Sequence, residues 1–246
     1  MKVTNQNARG INASTLKMIA IIGMTLDHIG IAFGAQLPPW GICILYTPGG
    51  ITFPIMAFLL TEGYRHTRDY KKYTKRLLLF ALISLVPFAW ALNPVFNVIV
   101  TLLLGLVTIY LYDTMKNRVG FWFAFIGIII FTIICDWSIV GVPMILGYHT
   151  ITKPGKRVVI PVTYAWGMII CVSVINSLIN PGFVVMDVLP NLLFAFVGCT
   201  ATIFLLQRYN GEKGRSWKYF FYIYYPAHLL VLGVLRGLLF GIWTPF

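Results

Sequence analysis

Apolar runs of roughly twenty residues alternate with short loops along this chain, and the basic residues fall in every second loop. Lys2, Arg9 and Lys17 flank the start of the first run. Arg65, Arg68, Lys71, Lys72, Lys75 and Arg76 crowd one turn, with His66 among them. Lys116 and Arg118, then Lys153, Lys156 and Arg157, then Arg208, Lys213, Arg215 and Lys218 occupy the remaining basic loops. The loops between them carry no Lys or Arg, and of the 19 basic residues Arg236 alone lies away from the basic ends of the runs. Such a pattern fits a chain that weaves through a bilayer with its basic loops on the cytoplasmic side. One missed or extra crossing would scramble the alternation.

Hydrophobic residues make up 59% of the chain and charged residues 11%, where a soluble domain carries roughly a quarter charged. The net charge of +12 therefore reads as topology and attraction to anionic headgroups, not as nucleic-acid binding. The expected class is an all-α polytopic membrane helix bundle of about nine transmembrane segments, forming a single domain over residues 1–246. The N-terminus is expected to be cytoplasmic and the C-terminus outside. The segments are read at 14–34, 41–64, 73–92, 97–112, 119–135, 139–150, 158–179, 186–206 and 217–240. Ser14 or Thr15 is available to cap the first. Tyr46–Gly50 is expected to make the second irregular, and the sixth is short for a crossing. The polar start and the Asp27–His28 interruption argue against a cleavable signal.

Ionisable groups inside a span are costly and are functional candidates by default. Asp27 and His28 sit deep in the first segment, about 100° apart around the helix, so each needs a partner elsewhere. His28 reads as a general base with Asp27 orienting it or balancing charge, or else the two fix helix packing. His228 follows Tyr224, Tyr225 and a helix-breaking Pro226; it is a second wall of a site or a member of an aromatic cluster. Arg236 either pairs with Asp136, Asp187 or Asp27 or snorkels to the interface. Glu62 is placed to pair with Arg65 or Arg76. The four cysteines have no metal spacing, and no Walker, dinucleotide, HExxH or GxSxG pattern occurs, so no metal is expected.

Several stretches carry a family resemblance. They are LKMIAIIGMTLDHIG at 16–30, FPIMAFLLTEGYRHTRDYKKYTKRLLLFALIS at 53–84 and Asn-x-x-x-Thr-Leu-Leu-Leu-Gly at 97–105. CDWSIVGV at 135–142 and YNGEKGRSWKYFFYIYYPAHLL at 209–230 complete them. Together they resemble the TraX family, named for an inner-membrane protein that acetylates the N-terminus of F-type conjugative pilin. That family is similar to a wider group of membrane acyltransferases that includes acyltransferase type three and lysosomal heparan N-acetyltransferase.

The resemblance implies acetyl-CoA as donor and an essential histidine on an early helix, a role that falls to His28. Asp27, His228 and Tyr225 complete the expected catalytic set. The anionic phosphates of CoA would be held at a basic cytoplasmic mouth by Arg65, His66, Arg68, Lys72, Arg76, Arg215 and Lys218. Tyr225, Asn97 or Asn191 could donate to the thioester oxyanion. Asn97, Asp136 and Arg236 are the expected substrate contacts. The acceptor would be a peptide or small amine, and the place a bacterial cytoplasmic membrane. A transporter or flippase for an anionic or lipid-linked solute, using Asp27, His28 and Arg236 as a relay, is the alternative. A scaffold subunit without chemistry is a third reading.

Overall fold

The computed structural model describes residues 10–92, 95–180, 185–216 and 218–243, and the side chains of all of these except 185–187, 218 and 219. The expected C-terminal end at Thr244–Phe246 and the side chains of Asp187 and Lys218 therefore lie outside the described residues. Among those described, the chain is helical throughout, with two isolated bridges (Ile11 to Tyr209, Phe96 to Cys135) and no strand.

The helices are α1 Ala13–Ala32, α2 Pro39–Tyr46, α3 Thr52–His66, α4 Tyr70–Ala91, α5 Val98–Thr114, α6 Arg118–Thr132, α7 Ser138–Thr150, α8 Pro154–Ile179, α9 Val185–Gln207 and α10 Lys218–Phe240. Amide and carboxylate side chains start four of them. Asn12, Asp69, Asn97 and Asn117 accept from backbone N–H groups of α1, α4, α5 and α6, satisfying donors that have no partner within the helix. The cap of α1 is thus Asn12 and not Ser14 or Thr15. The loop at 208–214 lies over the same end: Ile11, Ala13 and Ser14 donate to the carbonyls of Arg208, Glu212 and Lys213.

Among the described residues six stretches are long and apolar enough to cross a membrane: Ala13–Ala32, Pro39–His66, Tyr70–Ala91, Pro154–Ile179, Val188–Gln207 and Phe220–Phe240. Their outer faces are apolar as well. On the shorter α6, Val119, Trp122, Phe123, Ile126 and Ile130 are each more than half exposed. Water would penalise that area by ~25 cal/mol per Å², whereas lipid does not. Inside, Phe53, Ile55, Leu106, Met144 and Ile145 are fully buried.

The second expected segment is one rod in two pieces. α2 and α3 are joined by a 3-10 turn at Thr47–Ile51, as the Pro48–Gly49–Gly50 sequence suggested. α7 has only 13 residues, about 20 Å of helix. Its flanks nevertheless meet both ends of α5: the Asp136 carbonyl accepts from Thr101, and His149 bonds Asp113 at 2.8 Å. Val140, Val142, Met144, Ile145 and Tyr148 on α7 are buried. A helix enclosed by protein need not match the bilayer's thickness by itself.

Glycines set the closest approach, where the 3-10 turn meets α9. A Cβ on Gly198 would stand 2.5 Å from the Gly50 Cα, which close packing does not tolerate. Gly198→Ala is therefore expected to cost about 1–3 kcal/mol by overpacking. Gly127→Ala on α6, with nothing within 4 Å, should be neutral or slightly stabilising. Thermal unfolding of the two purified variants in detergent would check the contrast.

Candidate functional site

The first and last helices meet through two polar contacts. Thr25 donates its hydroxyl to Ile21 O at 2.8 Å, so the 2.8 Å bond to Tyr224 must use the tyrosine's own hydrogen. One turn further along, His28 Nδ1 lies 2.8 Å from His228 Nε2. Both rings are buried, at 5% and 8% exposure. Tyr224 stacks on His228 with centroids 5.1 Å apart, and Tyr225 packs edge-on to His28 at 6.3 Å.

Elementary hydrogen-bond arithmetic orders the protons. His228 Nδ1 lies 2.9 Å from the Tyr224 carbonyl, which can only accept, so Nδ1 carries the hydrogen. In a neutral ring Nε2 is then the acceptor. His28 Nδ1 must donate to it, which leaves the lone pair of His28 on Nε2. That nitrogen has no hydrogen-bond partner among the described residues, and His28 lines a cavity of 250 Å³. A base oriented by a second group, with its lone pair open, is the arrangement general-base catalysis needs.

The cavity is walled by Asp27 and His28 on α1, Tyr46 and Gly49 at the 3-10 turn, Asp136 and Trp137 before α7, and Phe194 on α9. Asp27 Oδ1 is buried with no hydrogen-bond partner among the described residues. Its carboxyl rests on Gly49, where a Cβ would come within 2.5 Å of Cγ. Asp136 is held by its own turn: Oδ1 accepts from the Trp137 N–H at 2.9 Å, and its N–H donates to Phe96 O at 2.7 Å. Trp137 adopts φ 61°, the left-handed region that a bulky residue enters only under constraint. Its ring stacks on Phe53 at 4.4 Å.

Other expected site residues are placed elsewhere. Asn97 is fully buried and its amide is spent: it caps α5 and donates to Ala81 O at 2.9 Å. Arg236, at 2% exposure, donates to Trp90 O near the C-terminus of α4 at 2.9 Å and does not line the cavity. At the opposite end of the bundle, Arg65 binds the Tyr148 and His149 carbonyls and approaches Glu62 at 3.6 Å. Arg157 pairs with Glu62 at 2.7 Å. These two guanidinium groups tie α3 to α7 and α8. His66 turns back to the Glu62 carbonyl, Lys72 pairs with Asp69 at 3.4 Å, and Arg68 and Arg215 are exposed.

Arg76 differs from these. It donates to the Tyr222 hydroxyl at 2.9 Å, and Lys17, which feels the charges of both Lys213 and Arg76, lies over the Phe221 ring at 5.5 Å. The sequence pattern presented Lys17 only as topological charge. A helical projection would have found Lys17, since 17, 21, 25 and 28 share one face of α1.

Comparison with known proteins adds an independent line. The sequence model of a family described as TraX protein matches residues 12–236. A curated relative, the probable fimbrial assembly protein FimC, serogroup H1, of Dichelobacter nodosus, is 27% identical over 243 residues, covering 90% of this chain and 94% of the relative. No solved structure matches.

The turn before α7 yields a pH test. Burial pushes the Asp136 carboxyl from 3.8 up to about 6, against the opposing Trp137 N–H. The folded state therefore holds this proton more tightly than the unfolded chain. Its contribution is lost as pH climbs from 3.8 through about 6, by about 3 kcal/mol. Asp136→Asn should thus gain stability relative to the native chain between pH 4 and pH 7, read as the difference in melting temperature in detergent.

Proposed function

The chain belongs to the TraX family, and we propose that it is an integral-membrane N-acyltransferase that transfers an acetyl group from acetyl-CoA to an amine. The observation that carries this reading is the buried His28–His228 pair, with His28 on the cavity wall and its Nε2 without a hydrogen-bond partner among the described residues. Acetyl-CoA supplies the activated acyl carbon. His28 Nε2 takes the proton that the amine nitrogen sheds as it bonds that carbon, and returns it to the thiolate released by C–S cleavage. His228 keeps the His28 tautomer correct and shares the positive charge of the imidazolium.

The basic end supports a place for the phosphates. The charges of Arg76 and Lys213 both reach Lys17 there, with Tyr73 and Tyr222 flanking Arg76. From Lys17 to His28 is three turns of α1, about 16 Å, a distance suited to a long pantetheine arm. Arg68, His66, Arg215 and Lys72 belong to the same basic end as outer contacts, and Arg65 is committed to α7. The same distribution of charge supports nine crossings, a cytoplasmic N-terminus, an outside C-terminus and a bacterial cytoplasmic membrane. The fimbrial-assembly name of the relative points to a pilin-like peptide as acceptor.

Purified protein supplied with radiolabelled acetyl-CoA and an amine acceptor tests the reading. His28→Ala should lower transfer by about 10²-fold or more. His228→Gln, whose amide oxygen can still accept from His28 Nδ1, should retain more activity than His228→Ala. Unchanged transfer in His28→Ala would sink it. A second reading draws on the interrupted rod at Thr47–Ile51 beside the cavity, a feature of transporters. Solute flux in proteoliposomes without acetyl transfer would select that one.

A further inference from the structure

The cavity contains two carboxyl groups and, among the described residues, no Lys or Arg to balance them. Asp27 and Asp136 both line it, together with His28. Among the described residues no Lys or Arg does, and none of the four ion pairs there involves either acid. One Asp27 oxygen is buried without a donor. Leaving such a group unpaired at this depth is expensive. The rest of the wall suits a cation too. Tyr46 stacks on Phe194 with centroids 4.9 Å apart, and Phe194 meets Trp137 at 5.9 Å. These three rings line the same space as the carboxylates, and aromatic faces attract organic ammonium groups.

We infer that this cavity is a cation subsite for a primary ammonium on a short apolar stem, with Asp27 and Asp136 as its counter-charges and Tyr46, Trp137 and Phe194 as its walls. A divalent metal ion fits less well, because calcium takes 6–8 oxygen ligands and the remaining lining is largely Met24, Ile31, Phe88, Leu92, Val95 and Val98. The volume of 250 Å³ exceeds that of an engineered ~150 Å³ cavity that binds benzene, so an amine head group with a few carbons is accommodated. Gly49 is part of the device. Any side chain there would displace the Asp27 carboxyl from its seat. His28 lies on the same wall as the acids, so an ammonium held here would present its nitrogen to Nε2. That last step rests on the transferase reading; the subsite itself does not.

Equilibrium binding to the full chain in detergent at pH 7, with no acyl donor present, tests it. The probes are glycinamide, which carries an ammonium, and N-acetylglycinamide, which does not. Glycinamide is expected to bind saturably and at least about tenfold more tightly than its acetylated form, the size of a lost charge-assisted contact. Asp27→Asn, Asp136→Asn and Gly49→Ala should each weaken glycinamide by about tenfold, while the surface variant Asp69→Asn should leave it unchanged. Equal binding of the two probes, or undiminished binding in the two Asn variants, would overturn the subsite. Displacement of glycinamide by stoichiometric calcium chloride would overturn it in favour of a metal site. If a variant does not fold, the two-probe comparison on the native chain decides alone. Glycinamide binding without acetyl transfer would leave the subsite standing and defeat the transferase reading; the reverse outcome would do the opposite.

Discussion

Within a bilayer, a backbone N–H or C=O that leaves its helix must find a partner in the protein, because lipid offers none. The chain breaks its helices in two places that meet this condition. The 3-10 turn at Thr47–Ile51 is wedged between α1 and α9 through Gly49, Gly50 and Gly198. The turn before α7 is pinned by Phe96, Ile134, Thr101 and Asp136. The two breaks face each other across one cavity, whose polar wall they supply. Enclosure therefore does two things. It makes irregular backbone tolerable, and it creates an aromatic-lined space in which two carboxyl groups and an imidazole act more strongly than they would in water.

The pairing of α1 with α10 is the second element on which the site depends. These helices are the farthest apart in the sequence of all that touch, and they share Thr25–Tyr224 and His28–His228. Each bond lies in a medium where an unpaired polar group costs more than it does at a surface. The register between the helices is thereby specified, and with it the tautomer of His28. Pro226, between Tyr224 and His228, removes a backbone donor from this stretch of α10.

The cations divide by task. Arg65 and Arg157 are absorbed by Glu62 and by the carbonyls that end α7, a favourable place for positive charge near a helix C-terminus. Lys17 feels the charges of Arg76 and Lys213, and Phe221 neighbours Lys17 while Tyr73 and Tyr222 flank Arg76. In the sequence both sets look alike, since each is a short basic loop after an apolar run. The difference arises from what the neighbouring helices present: spare carbonyls and Glu62 on one side, aromatic rings on the other.

Hydrophobic runs and periodic charge decided a good deal by themselves. They determined an all-helical membrane bundle, the approximate bounds of its helices, the interruption at Pro48–Gly49–Gly50 and the isolation of Asp27, His28, His228 and Arg236 among apolar neighbours. Local composition suffices there, because burial in lipid is set by each segment's own hydrophobicity. Partnership was decided only in three dimensions. The sequence could state that Asp27 and His28 face different ways. It could not state that one meets His228 and the other looks into a cavity with Asp136, Tyr46, Trp137 and Phe194. Nor could it foresee that Asn97 would spend its amide on a cap and on Ala81, or that Arg236 would end on a backbone carbonyl. Those outcomes depend on helix order and register, which arise from long-range packing that no single segment encodes.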